Sequence, residues 1–591
     1  MFVSSMLHGR TRTELAFLAA TLVALGLGTG PELASRMATL IHESGVATAT
    51  SYVAVWVVSG CCLWFFLSFA PRIVRVVIAP LFFASALFIC AYYLAAKEPL
   101  EALGFERMLD ARDYAGDAAN QYRPQLLTAV LLNLPLAAVL LFSVFRKDPA
   151  AHATPVARTA GVLSLCLATA VIAAICWVRG GRGTAGLPTP LRIIAYSEAL
   201  FADQYFGRSA YPHRPVADTP HAGVRHVVYV VDESVVDDVF RKDSDVRIDT
   251  PSLPSGIEYD FGPAVSGGDC SSDSNLILRV GPRPLHLSED LERDASIWEY
   301  AKRAGYETVY IDGQDRSDVL HNWMSARERS FIDHVYVFPN VPVPLRDGAA
   351  GKLIAELTAK DTPQFIYVNK VGPHFPYDSK YPAAAAHYLP TAGFAGDPGA
   401  AFANQQHMLG TMAALSGTVP FRNSYRNAVE WNLNSFFKAL PGLPQDTSTV
   451  VVYTSDHGQN LWRENGITIT HCTSVPRSTT RVPLIVFTAN EKWSGILRSA
   501  SRENFGRTSH FNIFASLLAF MGYQAPYDEP RAPPLWAADP SPEGLLTVKD
   551  GLTFRFGGMP ATLETICPRD ERLLPLGRCA PDLQMAAAAG R

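Results

Sequence analysis

The sequence predicts a two-part chain: an α-helical transmembrane domain of about five helices, then an α/β domain with a largely parallel central sheet. Three observations predict it. Apolar runs close to the roughly 20 residues that span a bilayer crowd the first third of the 591 residues. Beyond residue 222, strand-like and helix-like segments alternate, the pattern of a parallel sheet flanked by helices. Two apolar strand-like runs, one starting at His226 and one at Val450, end abruptly in acidic residues, Asp232-Glu233 and Asp456. Ligands of open α/β sheets bind at such strand ends.

Composition narrows the function classes. Apolar residues make up 48% of the chain, high for a wholly soluble protein, and the excess lies in the first third. The formal net charge is −4 and no basic stripe occurs, which argues against a nucleic-acid partner.

Taken in order, membrane helices are expected at about 13–31, 49–70, 73–96, 126–145 and 159–178. Gly26, Gly28 and Gly30 thin the end of the first, so a cleaved signal peptide competes with a span there. No small-residue cleavage site stands out and more spans follow, which favours an uncleaved helix. Arg10 and Arg12, Arg72 and Arg75, and Arg146, Lys147 and Arg158 fall on one side of a five-span arrangement, and that side should be cytoplasmic. Loops 32–48 and 97–125, and everything after 179, then face outward. Phe105, Met108, Leu109 and Tyr114 give the second loop the character of an interfacial helix, with a solvated linker as the alternative. The chain thus divides into a helical domain at 1–180, a linker with an interfacial helix at 181–221, an α/β domain at 222–560 and a tail at 561–591. Apolar spacing from Leu191 to Tyr205 suits a helix lying on the outer leaflet or simply packed.

In the α/β domain the first strand is followed by a Gly/Ser-rich loop, 266–274, after which an apolar pattern resumes at Leu276. A hydroxyl at such a helix start reads either as a plain N-cap or as a nucleophile activated by a metal and the helix dipole. A helix at 297–304, stopped by Gly305, precedes a strand closed by Asp312-Gly313-Gln314. These residues read as scaffold, with Gln314 a minor candidate for lining a pocket. Strand 331–337 and helix 349–357 follow. The buried run 365–368 ends in Asn369 and leads to His374. Residues 383–418, rich in Ala and Gly, read as a surface insertion, and 424–440 as an amphipathic helix. The run from Val450 then delivers Ser455-Asp456-His457-Gly458. Adjacent Asp and His can reach one metal ion at a turn, though an Asp/Gly turn alone is common. Strand 483–487 and a helix begun by His510 complete the domain, and the chain beyond about 580 is expected to be disordered.

The stretches VVYVVDES (227–234), CSSDSN (270–275), VGPHFPY (371–377) and YTSDHG (453–458), with His471 and SHFNIF (509–514), occur in one order. Together they resemble the membrane-anchored branch of the alkaline phosphatase/sulfatase superfamily. That branch includes bacterial lipid A phosphoethanolamine transferases and lipoteichoic acid synthases. The resemblance implies an alkaline phosphatase-like (sulfatase-like) catalytic domain. It implies a metal site of Glu233, Ser271, Asp456 and His457, with Ser271 as catalytic nucleophile. Ser271-Ser272-Asp273-Ser274 matches the Thr-Ser-Asp-Ser of the synthases. Cys270 is the rival, because sulfatases convert a cysteine to formylglycine. Their signature needs Pro two residues on and Arg four on, and here Ser272 and Ser274 stand there. The transferases carry a Thr nucleophile flanked by a local cysteine pair, whose second member is replaced here by Ile277.

His374, His471 and Asn369 are the implied substrate-binding positions, Asn369 standing where the transferases have a further His. His510 is expected to pack beneath the site. Zinc suits the ligand set and manganese is the alternative, as one or two ions. A phospholipid would be the donor and an envelope glycan or lipid A the acceptor, with the chain multi-pass in a bacterial inner membrane and its catalytic domain periplasmic. Phosphoglycerol transfer, hydrolysis of a phosphodiester or sulfate ester, and a degenerate non-catalytic envelope protein are the alternatives.

Nine cysteines occur; Cys61, Cys62, Cys90, Cys166 and Cys176 lie in the apolar third and Cys270, Cys472, Cys567 and Cys579 beyond it. An even count in the polar part suits an oxidising compartment. Cys567 and Cys579 are close enough in sequence for a local disulfide. Cys270 and Cys472 flank the proposed nucleophile and His471, so a bridge between them is possible, with free buried thiols as the alternative.

Overall fold

The computed structural model describes residues 2–110, 119, 122–146, 154–206, 212–314, 321–392, 417–440, 442–466, 472, 477–525, 531–549, 552 and 562–566. The chain forms two units, the first built from its N-terminal 209 residues and the second containing residues 210–552.

Five helical stretches of the first unit are long and apolar enough to cross a membrane: Thr13–His42, Ser44–Phe69, Arg72–Ala96, Arg123–Phe145 and Pro155–Val178. The first two form one run, Phe2–Phe69, broken at Gly45, whose φ of 82° and ψ of 167° leave the helical region. The expected loop at 32–48 is therefore corrected: the helix passes through Pro31 and reaches His42. Glu32 is buried within it and pairs with the fully buried Arg192 at 2.6 Å. A buried charge is retained only with a partner, and Arg192 supplies one that the local sequence does not reveal. Arg192 belongs to the helix Thr189–Phe206, which buries Leu191, Ala195, Tyr196 and Ala199 and leaves Phe201 and Tyr205 exposed. Of the two readings for this stretch, packing describes its N-terminal half. The expected helix in 97–125 is present as Ala102–Asp110, with Leu103 and Phe105 buried.

The second unit is built on a seven-stranded sheet of order β2-β7-β6-β1-β5-β3-β4. The strands are β1 His226–Asp232, β2 Glu258–Val265, β3 Glu307–Asp312, β4 His334–Val337, β5 Gln364–Asn369, β6 Thr449–Ser455 and β7 Arg481–Phe487. The five strands from β6 to β4 run parallel; β7 is antiparallel to β6, and β2 to β7. Buried parallel strands read as unbroken apolar runs, and Val227 to Val231 is such a run. Its side chains alternate: Val227, Tyr229 and Val231 join one core with Trp298 and Phe514, and Val228 and Val230 join another with Tyr425 and Phe436. The sheet is thus covered on both faces. Its register brings Asp232 opposite Ser455, and Asn369 opposite both Val231 and Asp312, so four strand ends finish level.

Strand β2 was not expected. It is an edge strand with a register shift between Asp260 and Pro263, the place where a sheet tolerates Pro. A short hairpin, β8 Leu546–Lys549 with β9 Thr562–Thr565, is also new. Val548 N donates to Gly267 O at 2.8 Å, so β8 lies against the Gly/Ser-rich loop. Most of the expected insertion at 383–418, and Cys567 and Cys579, lie outside the described residues.

Candidate active site

Two adjacent strand ends and one helix start build the site. At the end of β1, Glu233 N donates to Asp232 Oδ1 at 2.9 Å. Ser234 then adopts a left-handed φ of 62°, a conformation that costs a non-glycine residue of order 1 kcal/mol. Three bonds fix it there. Ser234 N donates to Asp456 Oδ1 at 2.9 Å, Tyr425 Oη donates to Ser234 O at 2.8 Å, and Val235 N donates to Ser455 Oγ at 2.7 Å. This turn aims Glu233 at the end of β6.

At that end, Gly458 is required by close approach rather than by φ: a Cβ there would meet Ser478 O at 2.1 Å. His457 Nδ1 lies 2.7 Å from Gly458 O. A carbonyl only accepts, so Nδ1 carries the proton and Nε2 is left to face the site. Ser271 opens the helix Ser271–Val280. Its Oγ stands 3.1 Å from His457 Nε2 and 3.3 Å from Glu233 Oε2. Ligand atoms of Glu233, Asp456 and His457 all lie within 4.8 Å of one another, and all three residues are buried. The four residues proposed from sequence as nucleophile and metal ligands therefore meet at one point.

Electrostatics asks for a cation there. Burial, then the Glu233 charge, pushes the Asp456 carboxyl up to about 7. Burial alone would lower His457, but Asp456 and Glu233 outweigh it and raise it above the ordinary imidazole range. Among the described residues none donates a hydrogen bond to the buried Asp456 Oδ2. A divalent cation fits that donor set of two carboxylates, one imidazole and one hydroxyl. Asp456 holds a proton in the metal-free folded state that it lacks when unfolded, so metal-free stability is expected to fall as pH rises from about 4 to about 7; His457, raised above 6.5, adds to that fall only from the upper end of the window. Zinc must displace those protons, so the rise in melting temperature on adding zinc is expected to grow over the same window. Melting curves with and without zinc across that range check this; a zinc-induced rise that shrinks with pH would contradict it.

Beneath the Asp232-Glu233 turn lies a buried network. Lys370 Nζ pairs with Asp232 Oδ2 and lies 3.6 Å from Asp347 Oδ2. Tyr453 Oη donates to Asp232 Oδ2 at 2.8 Å. Asp347 accepts from Val371 N at 2.9 Å and Gly372 N at 3.2 Å. A Cβ on Gly372, whose φ is 50°, would meet Asp232 Oδ1 at 2.5 Å and Glu233 O at 2.6 Å. The Lys370–Gly372 turn is therefore fitted directly onto the turn that carries Glu233.

The remaining sequence candidates fall as follows. His374 is partly buried; burial lowers its imidazole pKa although Glu233 opposes the shift. That leaves it neutral and within the field of Glu233. Asn369 is buried and its Nδ2 donates to Asp312 Oδ1 at 3.0 Å. His471 lies outside the described residues. His510 is buried beneath the helix that Ser271 opens, where its Nδ1 accepts from Gly267 N at 3.1 Å and lies 3.0 Å from Ser274 Oγ. Burial pushes it down to about 3, so it is a neutral packing group. Cys270, the residue before Ser271, is bonded to Cys472, the residue after His471, with Cα atoms 4.7 Å apart. The bridge occupies the sulfur that formylglycine formation would consume. Gln314, a minor candidate from sequence, touches Glu233 directly: its Nε2 donates to Glu233 Oε2 at 2.8 Å. Nothing in the motif around Gln314 signals this contact, because it depends on β3 and β1 ending level across β5.

The Sulfatase family model matches residues 225–523, just over half of the chain. No curated protein matches the sequence. The integral membrane lipooligosaccharide phosphoethanolamine transferase A of Neisseria meningitidis superposes with a TM-score of 0.55 at 15% identity, over 86% of this chain and 96% of that one. Its soluble domain gives a TM-score of 0.43 at 18% identity, over 53% and 94% of the two chains. The lipoteichoic acid synthase LtaP of Listeria monocytogenes gives 0.36 at 13% identity, over 56% and 78%. At 15% identity the first of these likenesses is one of fold.

Proposed function

As the chain belongs to the sulfatase family, we propose that it is a metal-dependent, membrane-anchored phosphotransferase that moves a phospholipid headgroup, of phosphoethanolamine type, through a phospho-Ser271 intermediate. The observation that carries this reading is the meeting of Glu233, Asp456 and His457 around the Ser271 hydroxyl. A divalent cation held by these four residues, zinc by preference and manganese as the alternative, would lower the pKa of the Ser271 hydroxyl and balance charge in the in-line transition state. Ser271 Oγ attacks phosphorus; the new Oγ–P bond replaces the P–O bond to diacylglycerol, which leaves with a proton. His374 Nδ1 is committed to Phe375 O at 2.7 Å, so His374 reaches phosphoryl oxygens through Nε2 once that nitrogen takes up a proton, and His471 shares that role. An acceptor hydroxyl on an envelope glycan or lipid A then displaces Ser271, returning its proton. A lipid donor accords with five membrane-crossing helices in the same chain. We place the chain in a bacterial inner membrane with the catalytic unit in the periplasm, as the Lys/Arg pattern and the Cys270–Cys472 bridge support.

A second reading, phosphoglycerol transfer, is favoured by Ser271-Ser272-Asp273-Ser274. The test is to incubate the purified full-length protein in detergent with labelled phosphatidylethanolamine or phosphatidylglycerol, with zinc or manganese. Diacylglycerol release from the first lipid supports the main reading; release from the second selects phosphoglycerol. Free headgroup accumulating without any acceptor marks a hydrolase. If neither lipid is turned over, the transferase reading fails.

A further inference from the structure

The turn that leaves β3 carries chemistry the mechanism above does not use. Gln314 Nε2 makes two hydrogen bonds, one to Glu233 Oε2 and one to Lys370 O, both 2.8 Å. Its own backbone is locked. Gln314 N donates to Asp312 Oδ1 at 3.0 Å, and Gly313 N donates to Asn369 O at 2.8 Å. The buried Arg346 donates to Gly313 O at 3.0 Å. Asp312 is held in turn by Asn369 Nδ2 on one oxygen and by His321 on the other. The backbone after His321 takes two successive left-handed residues, Asn322 (φ 52°) and Trp323 (φ 59°). That turn is fastened to the nucleophile helix, since Arg279 Nη2 donates to Asn322 O at 2.7 Å and Trp323 Nε1 lies 3.4 Å from Asp273 Oδ1. Strained backbone of this kind persists only where its surroundings over-determine it.

We propose that Gln314 is a positioning residue that holds the Glu233 carboxylate in its metal-facing orientation, with Asp312, Asn369 and His321 as the frame that holds Gln314. The inference rests on the metal-site reading of Glu233. The Glu233 carboxylate is gripped at both oxygens, Oε2 by Gln314 Nε2 and Oε1 by the Ser234 hydroxyl at 2.5 Å, and Gln314 is the grip that comes from outside its own turn, holding Oε2 3.3 Å from Ser271 Oγ. Outer hydrogen-bond partners of metal ligands typically change metal affinity by about 10–100-fold when removed. Asn369 acquires a role here different from substrate contact: its amide is committed to Asp312.

The test uses the full-length protein in detergent, stripped with a chelator and titrated with zinc against a chromophoric competitor. Glu233→Ala is the control for the site itself. Gln314→Met keeps the side-chain length and removes the donor; Gln314→Asn keeps an amide too short to reach both acceptors. Both are expected to weaken zinc binding by about 10–100-fold. The metal-free melting temperature should stay at the wild-type value, and excess zinc should restore turnover. A zinc Kd for Gln314→Met within about twofold of wild type overturns the proposal, as does a loss of affinity that merely follows a lowered metal-free melting temperature. If wild type and Glu233→Ala bind zinc equally, the metal site itself has been misread, an outcome distinct from failure of Gln314 alone.

Discussion

Ser271→Ala is expected to lower diacylglycerol release by about 10³-fold or more, because the residue acts as a unit with its metal and removing a nucleophile costs nearly the whole chemical step. Among the described residues the neighbouring hydroxyls are engaged elsewhere: Ser234 Oγ donates to Glu233 Oε1 at 2.5 Å. Ser274 Oγ donates to Asp456 O beneath the site, and Ser272 Oγ lies 3.4 Å from Asp273 Oδ1. The Cys270 sulfur is in the bridge to Cys472. Zinc binding should survive the change more than turnover does, since Glu233, Asp456 and His457 remain. Rate and zinc affinity measured on the same preparation separate the two effects. A variant retaining more than about a tenth of the wild-type rate would remove Ser271 from the chemistry.

Lys370→Met is expected to cost about 3–5 kcal/mol of stability, because it strips from two buried carboxylates the cation they share. Lys370 is 0% exposed, and Asp232 and Asp347 are 2% and 1% exposed. Burial, with the Asp232 charge adding to it, already raises the Asp347 carboxyl despite Lys370. Without the lysine, at least one of the two acids takes up a proton, and the turn fitted on Gly372 loosens. At about 2–4 °C per kcal/mol for a unit of this size, the melting temperature should drop by roughly ten degrees. Lys370→Met with Asp347→Asn should recover part of that loss. A single variant that melts within about two degrees of wild type would show that the network contributes little.

How much of this was legible in the sequence depends on how local each signal is. The ends of β1 and β6 could be read because a run of buried valines stops at functional groups, so strand and site share one stretch. The nucleophile helix was legible as a choice between cap and catalyst; the structure shows Cys270 at the cap position without a side-chain cap bond, and Ser271 turned to Glu233 and His457. Strand β2 escaped because Gly262 and Pro263 interrupt it, and an edge position with a bulge excuses both. The first helix runs past its expected end at residue 31, through Pro31 and Glu32 to His42, although Gly26, Gly28 and Gly30 thin that stretch. The partner that allows Glu32 inside is Arg192, far away in sequence. Gln314 is legible only as a minor pocket candidate for the same reason: its two acceptors belong to Glu233 and Lys370, distant in sequence.

The order of the strands has a consequence for how the protein comes into being. Strands β1 and β6 are neighbours, yet Ser455 Oγ reaches Asp232 O across a sequence separation of 223 residues. Contacts of such long range form late, because loop closure precedes any reward. Residues 233, 271 and 456–457 share no local chelating segment, so a nascent chain that has not yet released residue 457 has no pocket to fill. The β8 segment, which lies against the nucleophile loop, is made later still. A divalent ion held by these residues would therefore join only after residue 457 has been made and β1 and β6 have paired, so its uptake would report that pairing.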